Sequence, residues 1–188
     1  MTNQRLQAAQ RLLIIGGARS GKSTLAERVL AQEAAVDYVA TSAADSGDAE
    51  WESRIADHRR RRPEQWHTVE SLDLVTLLSA DGPPLLIDCL TVWLTRVMDG
   101  HGAWNDDEWA RAEPLILAEI DALAEAVRTT SRRVIVVTNE VGQGVVPASA
   151  SVRRFRDQMG WANQRIAASV DEVAWAVAGR YVLMEEWS

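Results

Sequence analysis

The chain has 188 residues, 47% of them hydrophobic and 25% charged, with a formal net charge of -7; that length suits one α/β domain and is short for two. The negative balance argues against nonspecific nucleic-acid binding or an anionic membrane surface, and no apolar run reaches the roughly 18 residues that span a bilayer. A single cysteine, Cys89, excludes an intramolecular disulfide, and with no leader-like start the expectation is a cytoplasmic protein.

Residues 1–10 are polar and read as a flexible N-terminal tail, with one domain over residues 11–188. Apolar residues 12–15 predict a strand, followed by a glycine-rich loop and a helix over residues 22–34. A strand is expected at 36–40, a helix at 50–62, a short strand around His67 and a helix at 72–79. Residues 85–88 predict a strand ending in an aspartate. The stretch "GHGAWNDDEW" leads into a long helix over 107–128, with Leu115, Ile116, Ile120, Leu123 and Val127 as its buried stripe. Asp106, Asp107 and Glu108 suit the positive end of that helix. A strand at 134–138 and a helix at 151–170 lead to strands 173–178 and 181–184, a terminal hairpin about Gly179-Arg180. Alternating strands and helices predict a mostly parallel sheet, with the site at the carboxyl ends of its strands.

The chemistry begins at Gly16-Gly17-Ala18-Arg19-Ser20-Gly21-Lys22-Ser23, which fits G-x-x-x-x-G-K-[ST] between a strand and a helix. Glycines let backbone N–H groups curl around phosphate oxygens, and the helix start adds positive charge. Lys22 is placed to reach the β- and γ-phosphates, and the Ser23 hydroxyl to ligate Mg²⁺. Asp88, ending the run Leu85-Leu86-Ile87, is the second group expected on the magnesium side. A Mg-nucleotide site follows, common to kinases, switch GTPases and ATPases.

His58 precedes Arg59, Arg60, Arg61 and Arg62, and Pro63 closes that helix. Arg61 and Arg62 share a helical face with His58. Guanidiniums neutralise phosphate oxygens and lower an imidazole pKa, which suits a histidine nucleophile in phosphoryl-type transfer. A solvated basic helix end, or a nucleic-acid stripe at odds with the acidic total, would also produce this run. No Cys/His set has zinc-ligand spacing. Eight tryptophans against one phenylalanine suit core, subunit contacts or a pocket for a flat ligand.

In order along the chain stand "GGARSGKS", "YVATS", "RIADHRRRRPEQWHTVE", "LLIDCLTVWLT", "VTNEVGQGVVP", "RRFRDQMGWANQRIA" and "DEVAWAVAG". Together they resemble the bifunctional adenosylcobinamide kinase / adenosylcobinamide-phosphate guanylyltransferase family of cobalamin biosynthesis. The resemblance spans nearly all of residues 12–184. It implies a RecA-like P-loop fold, a homotrimer, and two reactions. ATP or GTP phosphorylates adenosylcobinamide; GMP then passes from GTP to the phosphate through a guanylylated histidine. His58 matches that histidine, and Gly16 to Ser23 match the triphosphate loop. Ala40, Thr41, Ser42, Arg59 to Arg62, Glu70 and Asp88 match nucleotide-contact segments. Asp57 departs from the pattern, standing where some members carry a second histidine or a basic residue. Asn139, Glu140, Gly142 and Gly144 form either a capped glycine turn or a segment that places substrate or a neighbouring subunit. Rival readings are a monofunctional P-loop kinase, which needs no His58, and a regulatory GTPase, whose N-K-x-D motif "TNEV" does not supply.

Overall fold

A computed structural model describes residues 2–41 and 63–186. Short leucine-rich and β-branched runs make its strands: β1 (Arg11–Gly16), β2 (Val36–Ala40), β3 (Trp66–Val69), β4 (Leu85–Asp88), β5 (Val134–Asn139), β6 (Glu172–Val177) and β7 (Arg180–Met184). They form one seven-stranded sheet in the order β3-β2-β4-β5-β1-β6-β7. Every neighbouring pair is parallel except β6 with β7, the expected hairpin. Strands covered on both faces need apolar residues throughout, and Val134, Ile135, Val136 and Val137 of β5 are all buried. β5 lies between β1 and β4, the RecA-like arrangement in which one strand separates the phosphate-loop strand from the strand ending at Asp88.

Six helices flank the sheet among the described residues: α1 (Thr2–Ala8), α2 (Lys22–Val29), α3 (Leu74–Ser79), α4 (Leu90–Gly100), α5 (Trp109–Thr129) and α6 (Ala150–Ala167). Side chains of α3, α4, α5 and α6 build the apolar cluster on one face. Those of α1 and α2 build the other. On α5, Ala112, Ile116, Ile120, Leu123 and Val127 are buried at helical spacing. Leu115 lies outside that stripe and is 43% exposed, because one residue is about 100° of helix.

Three further expectations change. Residues 2–8 are no frayed tail: α1 docks through buried Leu6 and Ala9. Arg133 donates to the carbonyls of Gln7 and Ala9, and Arg5 pairs with Glu172. Two apolar contacts in a polar stretch suffice because Arg133, far along the chain, holds its backbone and Glu172 holds its Arg5. α2 stops at Val29, short of residue 34, with Leu30 buried at its end. α4 was not expected at all. Its buried Leu90, Trp93, Leu94, Val97 and Met98 have helical spacing, but they follow β4 with only Cys89 between. The expected helix over 50–62 lies outside the described residues.

At the amino ends of the strands, Arg132 is buried and donates to Asp37 and to the carbonyls of Pro83 and Leu77. This ties β2 and β5 together at the edge away from the phosphate loop.

Candidate nucleotide site

The carboxyl ends of the parallel strands meet along one edge. Gly16 pairs with Asn139, Val137 with Asp88, and Ala40 with Asp88. Glu70 directly follows β3 and is exposed. The fold therefore brings Gly16–Ser23, Ala40, Thr41, Glu70 and Asp88 to the same edge. Ser42, His58 and Arg59 to Arg62 lie outside the described residues, although the chain leaves the described part at Thr41, beside this edge.

Close packing explains two of the loop's three glycines, Gly16 and Gly21. A Cβ on Gly16 would lie 2.4 Å from the Ala176 carbonyl oxygen and 2.7 Å from Ser20 Oγ. Gly21 has φ 94°, a left-handed conformation, and its Cβ would lie 3.2 Å from Gly179 Cα. Arg19 also has positive φ, 57°, so the loop alternates handedness in the manner that turns successive N–H groups inward. Lys22 reaches across the loop, its Nζ donating to the Gly17 carbonyl at 3.0 Å. Ser20 is buried, and its Oγ has no hydrogen-bond partner among the described residues.

Asp88 Oδ2 accepts from the Tyr38 hydroxyl at 2.9 Å, which orients the carboxylate from the neighbouring strand. Thr41 is buried, and its hydroxyl both donates to the Cys89 carbonyl (2.8 Å) and accepts from the Cys89 N–H (3.1 Å). Burial first, and the Asp88 charge second, push the Cys89 thiol pKa up, so it stays protonated and is no nucleophile.

Beyond Asp88 the Asn139–Glu140 segment is held by Thr91, Thr138 and Asn163, which the sequence did not single out. Thr91 Oγ1 accepts from the backbone and side-chain nitrogens of Asn139, at 3.1 and 2.9 Å. Asn163 donates to the Asn139 carbonyl at 3.1 Å and accepts from Thr138 Oγ1 at 2.7 Å. Glu140 donates its N–H to the Gly16 carbonyl at 3.3 Å, and its carboxylate caps Gly142. An Asn on the buried face of α6 was the available signal.

Neither described histidine lies at this edge. His67 pairs in register with Asp37 near the start of β2, its Nδ1 3.7 Å from that carboxylate. His101 caps the far end of α4 and bonds to Glu119 at 2.6 Å.

A phosphate loop between strand and helix, with a carboxylate ending the next strand but one, defines a RecA-like P-loop nucleotide-binding protein. The chain belongs to the cobinamide kinase / cobinamide phosphate guanyltransferase family, whose profile matches residues 12–184. It is 44% identical over 172 residues to the bifunctional adenosylcobalamin biosynthesis protein CobP of Pseudomonas aeruginosa, covering 89% of this chain and 92% of that protein. Identity to CobU of Escherichia coli, described by the same words, is 42% over 175 residues, covering 89% and 96%. Among solved structures, an ATPase of a bacterial type III secretion system superposes with a TM-score of 0.56 at 11% identity. That match covers 88% of this chain and half of the ATPase, and it speaks to the fold alone. No helix among the described residues is long and apolar enough to cross a membrane.

Proposed function

We propose that this chain phosphorylates adenosylcobinamide with ATP or GTP. It then transfers GMP from GTP to the resulting phosphate, giving adenosylcobinamide-GDP and pyrophosphate. The observation that carries this reading is the family match over residues 12–184, since a P-loop alone serves any kinase.

In the kinase step the substrate hydroxyl oxygen bonds to the γ-phosphorus, the bond to the β-phosphate bridge breaks with loss of the nucleoside diphosphate, and the hydroxyl proton is released to solvent. Lys22 and the loop N–H groups hold the phosphates and meet the charge that develops. Ser23, in the first turn of α2, and Asp88, oriented by Tyr38, would hold a magnesium ion. One hydroxyl and one carboxylate fit the few protein ligands that Mg²⁺ takes beside phosphates. Bound there, the ion would neutralise phosphate charge.

For the second step, a ring nitrogen of His58 attacks the α-phosphorus of GTP and pyrophosphate leaves. An oxygen of the substrate phosphate then displaces the histidine. Arg59 to Arg62 supply positive charge for both displacements. Ala40, Thr41, Ser42 and Glu70 contact the nucleotide in this reading. Triphosphate substrates put the reaction in the cytoplasm, and residues 11–188 act as one domain.

We also infer a homotrimer. Trp175, Val177, Val182 and Met184 are exposed on the β6–β7 hairpin, where Trp175 pairs with Val182. Such a face is commonly covered by a neighbouring subunit. The experiment that tests the function is mass spectrometry of the intact protein after incubation with GTP and magnesium. A GMP adduct mapped to the His58 peptide is expected; an unmodified protein that still phosphorylates adenosylcobinamide would instead identify a monofunctional kinase.

A further inference from the structure

A cleft of about 290 Å³ opens beside the phosphate loop, between the first turns of α2 and the β6–β7 turn. Thr24, Leu25 and Arg28 line one side, and Gly179, Arg180 and Tyr181 the other. Small-ligand sites begin at about 300 Å³, so the cleft suits one flat heterocycle and not a whole nucleotide. Leu25 and Tyr181 are partly buried against the cluster on this face of the sheet, which gives the cleft apolar walls.

Position selects the occupant. A triphosphate whose β- and γ-phosphates meet Lys22 has its α-phosphate over the loop N–H groups, with sugar and base extending beyond. Thr24 and Arg28, one turn apart on α2, line the cleft just past the loop. We propose that this cleft is the base subsite of the loop-bound triphosphate, with Tyr181 as stacking surface and Arg28 and Arg180 reading the base edge. This rests on the reading of Gly16 to Ser23 as the triphosphate loop.

The lining also sets a preference. Arginine carries donors only, and no carboxylate lines the cleft among the described residues. Guanine offers two acceptors, O6 and N7, where adenine sets N7 beside a donor amine. The subsite favours GTP over ATP in the kinase step. The ratio is modest, because Arg28 and Arg180 are exposed.

The test uses the full chain with magnesium and compares ATP, GTP and inorganic tripolyphosphate by titration. Nucleotide displaced by excess tripolyphosphate counts as loop-bound, which separates it from GTP held elsewhere. Tyr181→Ala is expected to weaken loop-bound ATP and GTP about tenfold, with tripolyphosphate affinity unchanged. Tyr181→Phe keeps the ring and is expected to match wild type. Arg28→Gln combined with Arg180→Gln should bring the GTP-to-ATP affinity ratio close to one. Unchanged nucleotide affinity in Tyr181→Ala overturns the subsite. So does equal loss of tripolyphosphate, which would make Tyr181 a prop for the loop. Lys22→Ala should weaken all three probes; if it does not, the triphosphate-loop reading fails instead.

Discussion

The backbone N–H of Gly179 donates to the Ser20 carbonyl at 2.9 Å, so the turn of the terminal hairpin is bonded into the phosphate loop. The last strands of the chain thus brace its first functional segment. Gly179 has φ 72°, and a Cβ there would meet nothing within 4 Å. The cost of a side chain is therefore conformational, about 1–2 kcal/mol. Gly179→Val is expected to lower stability by that amount and raise the nucleotide KM, with Gly179→Asn milder. Gly16→Ala should be worse than either, since its Cβ would meet the Ala176 carbonyl. Denaturant midpoints and kinase KM values for the three variants check this ranking.

Lys22→Ala should slow the kinase step by orders of magnitude with little loss of fold, since positioning and electrostatics dominate phosphoryl transfer. Asp88→Asn should chiefly weaken use of magnesium, with rate recovering as magnesium is raised. Steady-state rates across a magnesium series distinguish the two. A Lys22→Ala enzyme near the wild-type rate would remove the loop from the mechanism.

His58→Ala is expected to abolish the protein-bound GMP while the kinase step survives, because a γ-phosphate passes to a hydroxyl without a protein nucleophile. His67→Ala and His101→Ala should label normally, since His67 lies near the start of β3 beside Asp37 and His101 is taken up by Glu119 at the far end of α4. Arg61→Ala and Arg62→Ala should slow labelling without abolishing it. Labelling with radioactive GTP reads all five. Loss of adduct in the His67 or His101 variant would move the nucleophile.

The Arg11–Asp171 pair makes stability depend on acid. Burial alone would raise the Asp171 carboxyl, but hydrogen bonds from the Arg11 guanidinium and N–H outweigh it and hold the pKa below the usual range. A lowered folded-state value stabilises fully above about pH 3.9, and that stability is lost as pH falls through the folded value. With both side chains about one-third exposed, Asp171→Ala should cost no more than about 1 kcal/mol at pH 7. The gap to wild type should narrow below about pH 4, as urea titrations at pH 7, 5 and 3 would reveal. A gap that stays constant at pH 3 rules out the ion pair as its source.

If the hairpin face is a subunit contact, Val182→Asp should convert a trimer to monomers in sedimentation at micromolar concentration. Wild-type protein sedimenting as a monomer contradicts the trimer outright.

Much of the site's scaffold was legible because its signals are local. The phosphate loop needs glycines and a lysine at fixed spacing, and Asp88 ends an unbroken apolar run. Strands β2 and β4 match their expected residues for the same reason. α4 was missed because its β-branched, apolar residues follow β4 so closely that no boundary residue marks the change. α1 was missed because its docking depends on Arg133 and Glu172, far along the chain. The Thr91–Asn139–Asn163 bonds and the cleft at Tyr181 were illegible because each joins elements that only the fold brings together.

Four strand ends are laced together at the nucleotide edge. Thr41 holds Cys89, Thr91 holds Asn139, and Glu140 holds Gly16. This continuous belt runs from β2 through β4 and β5 to β1, the same path that separates Asp88 from the phosphate loop. The spacing between the phosphate loop and Asp88 is thereby set during folding, and little reorganisation is left for the moment of reaction. Two successive reactions on such a fixed floor must exchange their reactants above it, so the order of the chemistry is governed by what arrives and leaves.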